Sequence, residues 1–195
     1  MLLHELLAAN RSYRGFRQTP KLTYQQLCQL VELTRRCPSS GNVQPLKYRA
    51  VCDDNTNALV LSLTRWGGRM KTPSLPRAGM APTGYIVVLH DENLSPNPMA
   101  FSKDVGIAAH TILLGAVEMG FGGCMLGGFS AEHLAGALAL PAQLKPVLVV
   151  AMGAPAETIM LEDAPIGFVD RDHAYYRDEN DVHHVWKRTL EEILV

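Results

Sequence analysis

The sequence predicts a layered α+β domain, and three observations support this. Helix-like and strand-like segments are mixed without a strict βαβ repeat, which favours a layered domain over a doubly wound one. Two segments, Gly84 to His90 and Pro146 to Gly153, are apolar and β-branched enough to be core strands. The chain has 195 residues, of which 47% are hydrophobic and 19% charged. These values suit a single compact domain spanning residues 1–195.

The composition argues against several classes of function and partner. A formal net charge of −1 gives no electrostatic reason to expect nucleic acid or an anionic membrane as partner. The four cysteines form no CxxC pair, so we expect no metal site and no redox dithiol. The first nine residues lack a basic leader. The longest apolar stretch, 105–121, is short for a bilayer span of about 20 residues. We therefore expect a soluble, cytoplasmic protein.

The N-terminal segment predicts a helix followed by a basic turn. The helix, Leu2 to Asn10, has four leucines on its predicted buried side: Leu2, Leu3, Leu6 and Leu7. Arg11 and Arg14 follow, three residues apart, where neighbouring positions of a helical turn would let both reach one anion. The Ser12 hydroxyl can complete that contact. A solvated basic turn explains the same residues.

The segment Pro38 to Pro45 (PSSGNVQP) places two hydroxyls, two amides and a glycine between prolines. A helix, Tyr24 to Arg36, is predicted before it, with Thr23 as its N-cap. A strand, Tyr48 to Cys52, is predicted after it. Functional loops commonly lie between two such rigid elements. An ordinary helix-to-strand turn remains the alternative.

The middle of the chain is less informative. A helix is predicted from Ala58 to Trp66, and a Gly- and Pro-rich passage runs on to Pro82. The basic residues of this region can cover a ligand or simply solvate a loop: Arg65, Arg69, Lys71 and Arg77.

A long apolar helix is predicted from Ser102 or Asp104, either of which can cap it, to about Met119. Its apolar composition predicts burial, inside the subunit or against a second copy of the chain. We interpret His110, within this helix, as a core or interface residue rather than a catalyst.

A glycine-flanked strand follows this helix and ends in Gly127-Gly128, ahead of a helix predicted from Ala131 to Leu140. The glycine pair removes side chains where a flat ligand could approach the backbone. A tight turn explains the pair equally well.

The tail, 164–195, has few residues able to form a core, which indicates that it packs on something else. It contains His183-His184, whose spacing does not suit a metal site, and a short helix from Leu190 to Leu194. Lys187-Arg188 is a candidate phosphate clamp.

Taken together, these segments resemble the FMN-dependent nitroreductase family. Residues 11–16 (RSYRGF) are similar to its RRSxRxF segment, and PSSGNVQP is similar to its flavin-binding PSSxNxQP loop. Residues 104–129 resemble its central helix and the glycine-rich strand end after it. With Lys187-Arg188 the resemblance spans nearly the whole chain.

The resemblance implies a three-layer fold with a mainly antiparallel central sheet flanked by helices. It implies a homodimer, with 164–195 extending onto the partner subunit. It also implies a ping-pong oxidoreductase with FMN as cofactor, NADH or NADPH as electron donor and a small acceptor such as a nitroaromatic or a quinone. Reductive dehalogenation, flavin fragmentation and a non-enzymatic FMN-binding module are the alternatives.

The resemblance also implies a cofactor-binding set. Its members are Arg11, Ser12, Arg14, Pro38, Ser39, Ser40, Asn42, Gln44, Gly127, Gly128, Lys187 and Arg188. The backbone N–H of Gly127 or Gly128 would lie near flavin N5, and no catalytic side chain is implied because the chemistry takes place on FMN. Asn10 and Leu46 depart from the family pattern, which has arginine and an aromatic residue there. The short segment 91–103 predicts an open substrate pocket.

Overall fold

The computed structural model describes residues 1–67, 74–169 and 175–195, so the predicted role of Arg69 and Lys71 lies outside the described residues. The helices are α1 Leu3–Ala9, α2 Tyr24–Thr34, α3 Asp54–Ser62, α4 Ser102–Glu118, α5 Ala131–Ala137 and α6 Leu190–Ile193. The strands are β1 Phe16–Arg17, β2 Leu46–Val51, β3 Gly84–Asp91, β4 Gly122–Leu126, β5 Leu144–Pro155, β6 Ile159–Asp163, β7 Tyr175–Arg177 and β8 His183–Lys187.

The main sheet has five strands and is organised around β5. Strand β3 pairs with one edge of β5, and β2 pairs with the outer edge of β3. The other edge of β5 pairs with β4 and, nearer its C-terminal end, with β1. All these pairs are antiparallel, which confirms the predicted α+β class with an antiparallel sheet.

The side chains of β3 show why the sheet is covered on both faces. Successive side chains of a strand point to opposite faces. Ile86 and Val88 join a core cluster with residues of α2 and α4. Tyr85 and Val87 join a second cluster with residues of α3 and α5. The continuous apolar run in β3 is therefore explained by two helical layers, one on each face.

Local capping explains where two of the helices begin. Thr23 accepts a hydrogen bond from the Gln26 N–H at the start of α2, as predicted, and Gln26 completes a capping box. Helix α3 begins four residues before the predicted Ala58 because Asp53 caps it by accepting from the Thr56 N–H.

The predicted side-chain cap of α4 is wrong. The N-cap of α4 is Phe101, which makes no side-chain cap hydrogen bond. Ser102 is the first helical residue, and Asp104 lies in the first turn with its carboxylate turned towards a neighbouring loop.

Helix α4 contains the apolar stretch that the sequence analysis noted. The segment Pro98–Glu118 has the length and composition to cross a bilayer, but half of its most apolar window is buried inside the protein. Its small buried residues pack on α2 and the sheet. Core packing therefore accounts for its composition.

The predicted burial of the N-terminal leucines is wrong within the single chain, and His110 is not a core residue there, so its place at an interface remains a prediction. Leu2 and Leu3 are each 65% exposed and Leu7 is 40% exposed, because the seven-residue helix α1 presents this side to solvent. His110 is also exposed, since the buried stripe of α4 runs through Ala108, Ala109 and Ile112 instead.

The tail forms a small second sheet. Strand β8 pairs in parallel with β6 and antiparallel with β7. Ala164 and His183 are buried in this region, so part of the tail packs within its own subunit. Its extension onto a partner subunit remains a prediction.

Gly123→Ala is expected to destabilise the fold by about 3 kcal/mol, because overpacking of this kind costs about 1–3 kcal/mol and sometimes more. A Cβ at Gly123 would collide with the Ala151 carbonyl oxygen and lie 2.7 Å from the Leu113 side chain. Gly136→Ala, in α5 with nothing within 4 Å of the added Cβ, is the control and should stabilise by about 0.5–1 kcal/mol. Urea unfolding measures both, and equal stabilities would contradict the packing described for β4.

Candidate functional site

The basic segment after α1 is extended rather than helical. Ser12 bridges Gly123 in parallel, and the Tyr13 N–H donates to the Gly123 carbonyl oxygen at 3.1 Å. The predicted helical turn is therefore wrong, because the free edge of β4 provides partners for an extended backbone. The segment lies along the outer edge of the main sheet.

A buried carboxylate holds this segment in place. Glu157, just after β5, accepts the backbone N–H groups of Arg14 and Gly15. Its other oxygen pairs with Arg177 of β7, and the two side chains are only 5% and 10% exposed. Glu157 thereby joins the N-terminal segment to the small sheet.

A cavity of about 260 Å³ lies between these parts and is called here the basic cavity. Its lining residues are Asn10, Arg11, Ser12, Arg14, Ile159, Tyr175, His183, Val185 and Lys187. Alternate residues of a strand share one face, which explains why positions 183, 185 and 187 of β8 all line it. The structure thus brings together four residues of the predicted set from opposite ends of the chain: Arg11, Ser12, Arg14 and Lys187.

The cations of the basic cavity have no anionic partner among residues 1–67, 74–169 and 175–195. No carboxylate there lies within 4.0 Å of Arg11, Arg14 or Lys187. Arg11 donates to the Leu7 carbonyl oxygen at 2.6 Å, but its Nε is buried and has no hydrogen-bond partner in the described part of the chain. The Arg14 guanidinium lies 5.7 Å from the centre of the Tyr175 ring, within cation–π range. The cavity is therefore suited to an anion.

His183 also lines this cavity, although the sequence analysis did not place it in the set. It is 2% exposed, and neither of its ring nitrogens has a partner in the part of the chain that the structure describes. The signal in the sequence was its spacing of four from Lys187 within a strand, which puts both on one face.

The two basic residues of the tail, Lys187 and Arg188, have different surroundings. Lys187 faces the basic cavity. Arg188, on the opposite side, donates to the Phe168 carbonyl oxygen at 2.6 Å and pairs with Glu192 at 3.1 Å. Only the first member of the pair is therefore available to a ligand in this arrangement.

The two glycines after β4 differ in their surroundings. A Cβ at Gly127 would meet nothing within 4 Å, so this position faces open space. The Gly128 carbonyl oxygen accepts from the Arg65 N–H at 2.7 Å, and a Cβ there would lie 3.1 Å from the Arg65 oxygen. Gly128 is explained by this close approach, which leaves Gly127 as the better position for a ligand.

The PSSGNVQP segment forms a largely exposed loop between α2 and β2. Gly41, Asn42 and Gln44 all have φ between +55° and +57°. Such a backbone is unfavourable for a non-glycine residue, and residues of this kind cluster at functional sites. The Gln44 amide donates to Asn42 Oδ1 at 3.1 Å. This geometry favours a functional loop over an ordinary turn.

Asp104 fixes the two serines of this loop. Its buried carboxylate accepts from the Ser39 hydroxyl at 2.6 Å, the Ser40 hydroxyl at 2.7 Å and the Ser40 N–H at 3.0 Å. Burial raises the pKa of Asp104, but the hydrogen bonds from the serines outweigh it and leave the pKa below its ordinary value. The predicted contact between these hydroxyls and a cofactor would compete with Asp104.

The loop and the basic cavity lie apart on one subunit. Pro38, Ser39 and Gln44 line a second cavity of about 220 Å³, which shares no residue with the basic cavity. The loop precedes β2 at one edge of the main sheet, whereas Ser12 lies outside β4 at the other. Four strand spacings of about 4.8 Å separate these two edges, which is about 19 Å along the sheet.

Comparisons with known proteins agree with the fold. The family model described as the Nitroreductase family matches residues 7–154. A nitroreductase family protein from Clostridium novyi NT is 25% identical, with a TM-score of 0.66 over 80% of this chain and 87% of that one. A nitroreductase family protein from Clostridium difficile 630 is 19% identical, with a TM-score of 0.66 over 100% of this chain and 98% of that one.

A third similar structure is an FMN-dependent nitroreductase from Clostridium difficile R20291. It is 21% identical, with a TM-score of 0.63 over 78% of this chain and 87% of that chain. Together with the family match, these similarities confirm the resemblance read from the sequence and the three-layer fold.

Asp104→Asn is expected to destabilise the protein by about 2 kcal/mol at pH 7, because a hydrogen-bonded buried carboxylate is lost. The lowered pKa means that the carboxylate stabilises the fold above about pH 4 and that this contribution fades at lower pH. The difference between variant and wild type should therefore shrink towards pH 3. Urea unfolding at both pH values measures it.

Asp54→Asn is the control for this substitution. Asp54 pairs with Lys21 on the surface, where such pairs contribute about 0–1 kcal/mol. An Asp104→Asn variant as stable as this control at pH 7 would show that the carboxylate does not hold the loop.

Proposed function

We propose that this chain, which belongs to the nitroreductase family, is an FMN-dependent oxidoreductase using NADH or NADPH. The observation that carries this proposal is the basic cavity, which presents Arg11, Arg14 and Lys187 without a carboxylate partner among the described residues. A phosphate monoester carries a charge of about −1.5 to −2 at neutral pH and has several acceptor oxygens. The cavity supplies matching charge and donors.

Three side chains would bind the phosphate of the cofactor. Arg11 has a buried Nε without a partner among the described residues, and Lys187 and Ser12 line the same cavity. A guanidinium forms short, charge-assisted hydrogen bonds with phosphate oxygens. These residues would hold the cofactor phosphate, while Arg14 supplies a further positive charge beside Tyr175.

The flavin ring would lie against the edge of β4. Gly127 lies four residues beyond Gly123, about 13 Å along the strand from the segment that bears Ser12. Neither Gly127 nor Gly128 donates its N–H to a backbone carbonyl in residues 1–67, 74–169 and 175–195. An extended flavin along this edge could reach both the open Gly127 and the basic cavity.

Bound FMN would supply the redox chemistry, accepting a hydride from the nicotinamide and passing electrons in a ping-pong cycle to a small acceptor such as a nitroaromatic or a quinone. The chain orients the ring through the Gly127 N–H and neutralises the phosphate. The short connection from β3 to α4, residues 92–101, supports an open substrate pocket.

A homodimer would complete the site. The loop 38–45 and the segment that bears Ser12 lie at opposite edges of the main sheet, about 19 Å apart along the sheet within one subunit. A second copy could bring its loop to this cavity, with Ser39, Asn42 and Gln44 facing the cofactor. Exposed apolar side chains support such an interface. They include the leucines of α1 and, in α6 and at the C-terminus, Leu190 and Leu194.

The four free thiols support a cytoplasmic location.

Purified protein should be yellow, form a dimer in light scattering and lose its flavin absorbance when NADH or NADPH is added without oxygen. A colourless protein that does not take up FMN would overturn the flavin proposal. A yellow protein bleached by neither nicotinamide would overturn the reductase and leave FMN binding in place. Screening acceptors against the reduced protein then identifies the substrate class.

Arg11→Ala and Lys187→Ala should each weaken FMN affinity about tenfold or more, because each removes a charge-assisted contact with phosphate. Arg188→Ala should have a smaller effect, since Arg188 is paired with Glu192. Lys145→Ala, which removes the same charge far from the cavity, is the control. Fluorescence titration measures all four, and unchanged affinity in the first two would show that the phosphate is placed wrongly.

A further inference from the structure

We propose that His183 donates a hydrogen bond to the anionic group bound in the basic cavity and takes up a proton from water when that group enters. This inference rests on the proposed function, because the anion is taken to be the phosphate of FMN. It adds a residue, and a dependence on pH, to that site.

The first argument is the state of the His183 ring. Its side chain is 2% exposed and lines the basic cavity. Neither Nδ1 nor Nε2 has a hydrogen-bond partner within the described ranges. Buried polar groups without partners are rare because they are costly, and those that occur call for a specific explanation. A ligand in the cavity that accepts from the ring provides one.

The second argument is the charge around the ring. Arg14 faces it from the N-terminal segment, Arg177 from β7, Glu157 from the end of β5, and His184 is its neighbour on β8. Burial lowers the pKa of His183 to about 4, and the two arginines contribute to this shift more than Glu157 opposes it. The ring is therefore neutral at pH 7 before an anion binds.

Tyr175 and Lys187 complete the surroundings. Tyr175 packs edge-on against the His183 ring, with 5.4 Å between the ring centres. Lys187 lies on the same face of β8 and adds positive charge, while Arg11 adds more from across the cavity. A ring in this position has cations on several sides.

A bound anion would oppose the effect of these cations on the pKa of His183. A phosphate held by Arg11 and Lys187 would place one or two negative charges near the imidazole, which favours its protonated form. The ring would then donate a hydrogen bond as a cation. By linkage, any group that is protonated more readily in the complex makes binding tighter as the pH falls.

The neighbouring His184 provides a matched control on the same strand. Its ring faces the other side of β8, where it contacts Glu162 at 2.5 Å and Asp178 at 3.3 Å. It does not line the basic cavity. His184→Gln should therefore leave the pH dependence of ligand binding as in the wild type.

The test uses the full-length protein freed of flavin. The protein is titrated with FMN between pH 5.5 and pH 8, and flavin fluorescence reports binding. The phosphate itself titrates near pH 6 in every variant, so the signal is the ratio of the dissociation constants of His183→Gln and the wild type. Glutamine keeps a donor but does not titrate. The ratio should rise about tenfold from pH 8 to pH 5.5 if the bound anion returns the pKa of His183 from about 4 to its ordinary value of 6.5.

A ratio that is constant over this range, with FMN bound by both proteins, would overturn the role of His183 and leave the proposed function standing. A wild type that binds FMN at no pH would overturn the proposed function instead. Riboflavin, which lacks the phosphate, should show no such rise.

A second measurement does not depend on the variant folding. Calorimetry of FMN binding to the wild type in two buffers of different ionisation enthalpy gives the number of protons taken up. At pH 6, binding to wild type should take up more protons than the phosphate accounts for, and the excess should be absent with riboflavin. No excess uptake would overturn the inference.

Discussion

The geometry of the basic cavity depends on the buried carboxylate of Glu157. This group binds the N–H groups of Arg14 and Gly15 and also pairs with Arg177, so it joins the N-terminal segment to a sheet formed more than 140 residues later in the chain. Removing one member of a buried ion pair leaves an uncompensated charge and costs about 3–5 kcal/mol. The cavity walls are therefore held by a contact that lies behind them rather than inside the cavity.

The basic cavity keeps its positive charge because two buried carboxylates are engaged by other groups. Glu157, behind the basic cavity, and Asp104, beside the loop 38–45, are already occupied by backbone N–H groups, hydroxyls and Arg177. Neither carboxylate forms an ion pair with the side chain of Arg11, Arg14 or Lys187. The acidic groups fix the loops, and the described cations remain available for a ligand. A phosphate would meet donors whose positions are already set, which reduces the entropy lost on binding.

Much of the fold follows from local rules in the sequence. Spacing and composition predict the N-cap at Thr23, the strands around Val87 and Val150 and the burial of α4, and the structure confirms each of them. The predicted turn at Arg11 was wrong because a distant partner, the free edge of β4 at Gly123, decides its backbone. The exposure of Leu3 was missed for a related reason, since periodicity shows which side of a helix is apolar but not what covers it.

The two adjacent histidines show most clearly where a sequence pattern stops being informative. His183 and His184 look equivalent as a dipeptide, yet strand alternation sends them to opposite faces of β8. Burial and arginines lower the pKa of His183 to about 4, while a hydrogen bond to Glu162 raises the pKa of His184. Near pH 6 one ring is neutral and the other is charged. The strand thus presents to the basic cavity an uncharged imidazole that has no hydrogen-bond partner among the described residues. The cations beside it lack a carboxylate partner in the same residues, so an incoming anion would change the protonation of this ring most.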